Sequence, residues 1–329
     1  MAVPTNCPIV RHTMKLANIG NLLFNWRMFQ TSGNARYVDI VENCLYNSIL
    51  SGISLDGKRY FYTNPLRISA DLPYTLRWPK QRTEYISCFC CPPNTLRTLC
   101  EVQNYVYTLS DEGVWCNLYG GSELDTEWVG NHIQLLQETD YPWDGAVSIT
   151  LKEVPEKKSL SLFLRVPEWC TKATLAVNDV PVTTDLKAGT YAEIKRIWKK
   201  GDRVAFVMGM EPVLLESHPL VEETRNQVAV KRGPVVYCLE SMDVEAGKRI
   251  DDILIPADIK FSPVKTEIAG SRVTVLDGIA HSVDSDSWEG KLYRKVAENG
   301  DRIPIRLIPY YAWGNRGESE MTVWMLLER

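Results

Sequence analysis

The chain has 329 residues, with 37 Lys and Arg against 41 Asp and Glu and a formal net charge of −4, so no basic excess exists to neutralise phosphates and a nucleic-acid partner is excluded. Hydrophobic residues make up 45% and charged residues 24%, enough for ordinary cores and too apolar for a disordered chain. No apolar run approaches the ~20 residues that a membrane helix needs, and the opening MAVPTNCPIVRHTMKL lacks the apolar centre of a secretion signal.

Residues 15–31 are predicted helical, because Leu16, Ile19, Leu23, Trp26 and Phe29 recur at three- and four-residue steps. Gly33-Asn34 breaks this run. Residues 35–51 read as a second helix with Val38, Val41, Leu45 and Ile49 on one face, so the first part is an antiparallel helix pair. Asp56-Gly57 is a hairpin turn signal, and Arg59–Thr63 after it reads as a strand. Pro92-Pro93 suits a helix entry, where a missing N–H costs little, and a third helix is predicted over 94–107.

The pattern changes after about residue 108. Alternating runs follow one another at Val114–Tyr119, His132–Glu138, Ala146–Glu153, Ser159–Val166, Ala173–Val177, Tyr191–Ile197 and Arg203–Met208. Turn residues such as Tyr141-Pro142-Trp143-Asp144-Gly145 separate them, as in a β-sandwich. A second β-rich set comprises Gln227–Lys231, Val235–Glu240, Arg272–Leu276, Ile303–Leu307 and Met321–Leu327, with the polar stretch Ser282–Glu289 read as a loop. Three domains are expected, at 1–107, 108–212 and 213–329.

Nine cysteines cannot all pair. Cys7, Cys44, Cys88, Cys100, Cys116, Cys170 and Cys238 sit mostly in apolar patterns and read as small buried hydrophobes. The run Cys88-Phe89-Cys90-Cys91-Pro92-Pro93-Asn94 stands apart. Adjacent Cys90 and Cys91 are poor disulfide partners, because the ring that links them is strained. Two neighbouring thiolates on a turn instead suit one soft metal ion, if other segments supply the remaining ligands; buried structural thiols are the alternative. None of the four histidines, His12, His132, His218 and His281, has a partner at metal-binding spacing, and no HExxH, GxSxG or P-loop occurs. Glu84 lies near the cysteine run but reads as a solvated side chain. Trp115, Trp143 and Trp169 could stack on sugars, but core packing is the favoured role for each.

A set of short motifs carries a family resemblance. They are Ala17-Asn18-Ile19-Gly20-Asn21, Asn25-Trp26-Arg27-Met28, Tyr46-Asn47-Ser48-Ile49-Leu50, Leu55-Asp56-Gly57-Lys58, Phe61-Tyr62-Thr63-Asn64-Pro65-Leu66 and the cysteine run itself. In these motifs the chain resembles glycoside hydrolase family 127, the β-L-arabinofuranosidase type, from Ala17 almost to its C-terminus. The resemblance implies an α+β multidomain fold: the C-terminal helices of an (α/α)6 barrel within 1–107, then two antiparallel β-sandwich domains. It implies Cys90 as a zinc-bound nucleophile, Cys91 as a second zinc ligand and Tyr62 as a sugar-contacting residue. The implied reaction retains configuration. The thiolate attacks the anomeric carbon, a Glu protonates the leaving oxygen, and water then releases arabinose.

The sequence departs from the family where Glu-Thr-Cys should precede Ala-Asn-Ile-Gly-Asn. Here Met14, Lys15 and Leu16 stand instead, and neither Met14 nor Leu16 suits zinc beside thiolates. The family's acid/base Glu also belongs upstream of the matched segment. With suitable codons, Cys7 to Ala17 read in another frame spell the family-like Pro-Asp-Ser-Thr-Ala-Tyr-Asn-Glu-Thr-Cys, so residues 1–16 are expected to be an out-of-frame start. The expectation is therefore a truncated glycoside hydrolase, inactive alone, with doubtful zinc occupancy and an arabinofuranoside-like carbohydrate as its partner. The rival expectation is a non-catalytic carbohydrate-binding or scaffolding β-sandwich protein. As written, the chain would stay in the cytoplasm, which agrees with its unpaired clustered thiols.

Overall fold

The computed structural model describes residues 13–69, 78–283, 292–293 and 300–328. Most of the polar stretch 282–289, as well as Cys7 and His12, lies outside the described residues. Two compact units divide the chain. One gathers Ile19–Leu45 and Leu96–Glu211, the other Met1–Asn18, Tyr46–Thr95 and Pro212–Arg329. Among the described residues, no helix is long and apolar enough to cross a membrane.

Among the described residues three α-helices form: α1 (Lys15–Ser32), α2 (Ala35–Asn43) and α3 (Cys91–Cys100). Gly33, at φ +65°, closes α1 by donating its N–H to Phe29 O at 2.7 Å. Asn34 then caps α2, its side chain accepting the Arg36 N–H. The second helix is shorter than its periodicity suggests. After Asn43 it continues as a π-helical turn over Cys44–Ile49 and a 3-10 turn over Leu50–Gly52. Asn47 explains part of the change: its buried side chain leaves the helical pattern to donate to Pro234 O at 2.9 Å and accept from Val236 N at 2.8 Å. The third helix begins earlier and ends earlier than expected, with a 3-10 turn over Val102–Tyr105. The strand expected over 59–63 reduces to isolated bridges from Tyr60 to Ile53 and Thr83, and a two-residue strand Thr63–Asn64.

In the unit with Leu96–Glu211, six strands pair antiparallel in the spatial order Val180–Pro181, Ala173–Val177, Arg203–Met208, Ala146–Glu153, Asn131–Thr139 and Ser122–Trp128. A second sheet orders Thr190–Ile197, Ser159–Val166, Gly113–Cys116 and Tyr107–Ser110. Its Gly113–Cys116 and Ser159–Val166 strands run parallel, against the antiparallel expectation. Ser159–Val166 is buried along nearly its whole length, which removes the alternation of a half-solvated strand. The edge strand Ser122–Trp128 escaped the sequence reading. It points Glu123, Asp125 and Glu127 outward, a charged edge that resists pairing with other chains.

In the unit that holds Pro212–Arg329, the expected second sandwich of two stacked sheets is instead one ten-stranded sheet. Six of its strands return on themselves: Gln227–Arg232, Met325–Glu328, Ile253–Pro256, Ser271–Ser282, Arg302–Pro309 and Val235–Glu240, the last pairing with the first. Ser271–Ser282 joins the ring through its C-terminal half, which pairs with Ile253–Pro256 on one edge and Arg302–Pro309 on the other, while its N-terminal half pairs with Ser262–Ile268 outside the ring. Ile253–Pro256 and Met325–Glu328 are parallel. Arg67–Ile68 extends the sheet at Met321–Thr322 and so ties the motif-bearing segment before the cysteine run to it.

Candidate active site

Among the described residues of Ile53–Cys91, side chains supply much of the anchoring. Arg82 is its chief anchor. Its guanidinium is buried and donates to Trp313 O, to Ser51 O at 3.0 Å and to Tyr311 O at 3.1 Å. It also lies 4.4 Å over the Phe61 ring, which stacks on Trp313 at 4.6 Å. Burial lowers its pKa to about 10, against the pull of Tyr310 and Glu240. Asn64, from the Phe-Tyr-Thr-Asn-Pro-Leu motif, donates to Ser48 O at 2.9 Å and accepts from Ser51 Oγ at 2.9 Å. These bonds fix the backbone on either side of Tyr62.

Tyr62 and the cysteine run meet within this unit. Tyr62, Ile86 and Cys91 are buried together, with Tyr60, Trp78, Cys88 and Cys90 packed against them. The Trp78 ring stacks on Tyr62 at 3.9 Å and 22°. Tyr62 Oη lies 3.0 Å from Cys90 Sγ and accepts from Cys88 Sγ at 3.4 Å. Its hydrogen bonds with Cys88 and then Cys90, followed by its burial, push the phenol well above its ordinary value. It therefore keeps its proton, and in its contact with Cys90 either atom can donate. Cys91 is the first residue of α3 and Cys90 immediately precedes it; Asn94 donates to Cys90 O at 2.7 Å. Cys91 is fully buried, whereas Cys88 and Cys90 are half-exposed.

All three residues singled out from sequence, Tyr62, Cys90 and Cys91, are thus brought together. Sequence reasoning missed Cys88 and Trp78. The i, i+2 spacing of Cys88 and Cys90 was a usable signal, because it puts both sulfurs on one side of an extended chain; nothing near Trp78 announced it. Glu84 is exposed and not part of this cluster. His132 pairs with Asp125 at 2.9 Å and His281 with Glu328 at 2.5 Å. Trp115 stacks on Phe163 at 4.0 Å, and Trp169 donates to Glu42 at 3.2 Å, so both serve packing.

The zinc that the resemblance implies can be tested against the donors present. Cys90 and Cys91 Sγ are 3.7 Å apart, close to the edge of a tetrahedron with Zn–S bonds of ~2.3 Å. Among the described residues, however, no group of three or more His, Cys, Asp or Glu side chains could hold a metal ion. The side chains of Met14 and Leu16 lie outside the described residues. The described residues do not fit a four-coordinate zinc.

Comparisons with known proteins give the family. Three family models match in succession: the β-L-arabinofuranosidase GH127 catalytic domain over residues 15–104, the GH127 middle domain over 113–210 and the glycoside hydrolase family 127 C-terminal domain over 212–326. A curated relative, the non-reducing end β-L-arabinofuranosidase of Bifidobacterium longum subsp. longum, is 29% identical over 327 residues, covering 94% of this chain and 48% of that protein. A solved structure described as a glycoside hydrolase is 64% identical, with a TM-score of 0.95 over 98% of this chain and 53% of that one. A GH127 β-L-arabinofuranosidase from Geobacillus stearothermophilus T6 is 35% identical, with a TM-score of 0.88 over 98% of this chain and 51% of that one. The chain therefore spans about half the length of the relatives it matches. It belongs to glycoside hydrolase family 127.

Proposed function

We propose that this chain carries the nucleophile side of a retaining β-L-arabinofuranosidase site, on the last helices of an (α/α)6 barrel, and does not turn over substrate by itself. The observation that carries this reading is the 3.0 Å contact between Tyr62 Oη and a half-exposed Cys90 Sγ at the start of α3. The hydroxyl within hydrogen-bond reach positions the Cys90 sulfur, and a positioned cysteine sulfur is a competent nucleophile. Cys90 Sγ attacks the anomeric carbon as the glycosidic C–O bond breaks, forming a thioglycoside. Water then attacks the same carbon and regenerates the thiolate, so two inversions give retention. Tyr62 orients Cys90 and meets a sugar through its hydroxyl, while Trp78, partly exposed and stacked on it, offers an aromatic surface to the ring. The first step also needs an acid to protonate the departing oxygen. No residue of the cysteine cluster supplies one, and no step is assigned to zinc, whose ligand set the described residues do not complete.

The test is turnover of an aryl β-L-arabinofuranoside by the purified chain, with zinc measured by elemental analysis. The expected result is no activity above blank and less than one zinc per chain. Activity that disappears in Cys90→Ser would overturn the inactivity, and stoichiometric zinc lost in the same variant would overturn the half-built metal site.

A further inference from the structure

We propose that Cys88 is the resolving thiol of Cys90, so that Cys88-Phe89-Cys90 is a peroxide-reactive modification site closing into an intramolecular disulfide. All eight described cysteines are thiols in this structure, and three of them crowd together. Cys90 Sγ is 3.6 Å from Cys88 Sγ and 3.7 Å from Cys91 Sγ. Distance alone does not choose between these partners; access and strain do. Cys88 and Cys90 are half-exposed, and Phe89 between them is 68% exposed, so this segment lies open to small solutes. Cys91 is fully buried and opens α3. A bond between Cys90 and Cys91 would strain the peptide that joins them at the helix entry, whereas the extra residue between Cys88 and Cys90 relaxes the ring. The Tyr62 hydroxyl, 3.0 Å from Cys90 Sγ and 3.4 Å from Cys88 Sγ, holds the two sulfurs on one side of the segment.

The chemistry balances with a hydroperoxide as oxidant. Cys90 thiolate attacks the peroxide oxygen, the O–O bond breaks, and a sulfenic acid and hydroxide form. Cys88 Sγ then attacks Cys90 Sγ, the S–O bond breaks, and water leaves with the Cys88 proton. Two electrons pass from the two sulfurs to one peroxide, and an external dithiol returns them. A closed disulfide leaves no Cys90 sulfur to attack a sugar. That consequence rests on the proposed function, whereas the bond itself does not.

The experiment uses the reduced full chain, treated with equimolar hydrogen peroxide, then alkylated and digested with trypsin. One peptide, Thr83 to Arg97, contains all three thiols. The expected product has lost two hydrogens and carries a single alkyl group, on Cys91. In Cys88→Ser the same treatment should leave Cys90 as a sulfenic acid that dimedone traps. A single alkyl group on Cys88, three alkyl groups, a disulfide-linked dimer of chains, or a disulfide that persists in Cys88→Ser would each overturn the proposal. None of these readouts requires glycosidase activity, so failure here is distinct from failure of the enzymatic reading.

Discussion

Tyr62 Oη stands 3.0 Å from Cys90 Sγ and 3.4 Å from Cys88 Sγ, so one phenol contacts two thiols. Because the phenol is held well above its ordinary pKa, its proton remains available to Cys90. Tyr62→Phe keeps the ring on Trp78 and removes only this donor. Cys90 should then react several-fold more slowly with iodoacetamide at fixed pH, as its thiolate loses a hydrogen bond worth about 1–1.5 kcal/mol. Peptide mass spectrometry with time gives the rate. An unchanged Cys90 rate in a folded variant would remove the hydroxyl from the site.

Much of the candidate site was legible in the sequence, because rare motifs mark it. Cys90, Cys91 and Tyr62 were named from the cysteine run and the Phe-Tyr-Thr-Asn-Pro-Leu motif, and they meet in space. Strands with strict alternation or continuous apolar runs, such as Ala146–Glu153 and Ser159–Val166, were read with their observed bounds. Less visible was whatever depends on distant partners. The π-helical turn after Asn43 follows from where Asn47 finds Pro234 and Val236, nearly 190 positions away. The sheet closure depends on Ile253–Pro256 and Arg302–Pro309 meeting the two edges of Ser271–Ser282 in its C-terminal half. The acidic strand Ser122–Trp128 lacks apolar alternation because its outward face is charged.

Asn47 gives a direct check on that long-range tie. Its buried amide both donates to Pro234 O and accepts from Val236 N. Asn47→Ala leaves two backbone groups without partners and should cost about 2–4 kcal/mol in urea unfolding. Asn47→Asp retains the acceptor, loses the donor and buries a charge, so it should be no milder. A loss below about 1 kcal/mol for the alanine variant would show that the clamp is dispensable.

Arg82 anchors the cysteine-bearing segment through three carbonyl oxygens and a stacked ring. Lysine cannot reproduce that planar fork. Arg82→Lys should therefore cost about 2–4 kcal/mol, by leaving buried carbonyls unsatisfied. It should also raise the alkylation rate of Cys91, the thiol now fully buried, as the segment loosens. Equal Cys91 protection in wild type and variant would show that Arg82 does not control access to the site.

Arg165, fully buried, faces two carboxylates that are not equivalent. Glu42 accepts from Arg165 at 2.5 Å, Tyr141 at 2.6 Å and Trp169 at 3.2 Å. Asp39 accepts from Arg165 through one oxygen, while its Oδ2 has no partner among the described residues. Burial, only partly offset by Arg165, raises the Asp39 pKa above 3.8. A raised carboxyl contributes stability that is complete below pH 3.8 and fades as pH rises through its folded value. Asp39→Asn removes that loss, so its stability relative to wild type should improve between about pH 4 and 7. At neutral pH it should lie within about 1 kcal/mol of wild type, or above it. Glu42→Gln, by contrast, weakens three hydrogen bonds and the better-satisfied ion pair, and should cost about 3–5 kcal/mol. Urea melts of both variants at the two pH values decide the matter. If both carboxylates cost the same and neither difference moves with pH, the asymmetry around Arg165 has no energetic weight.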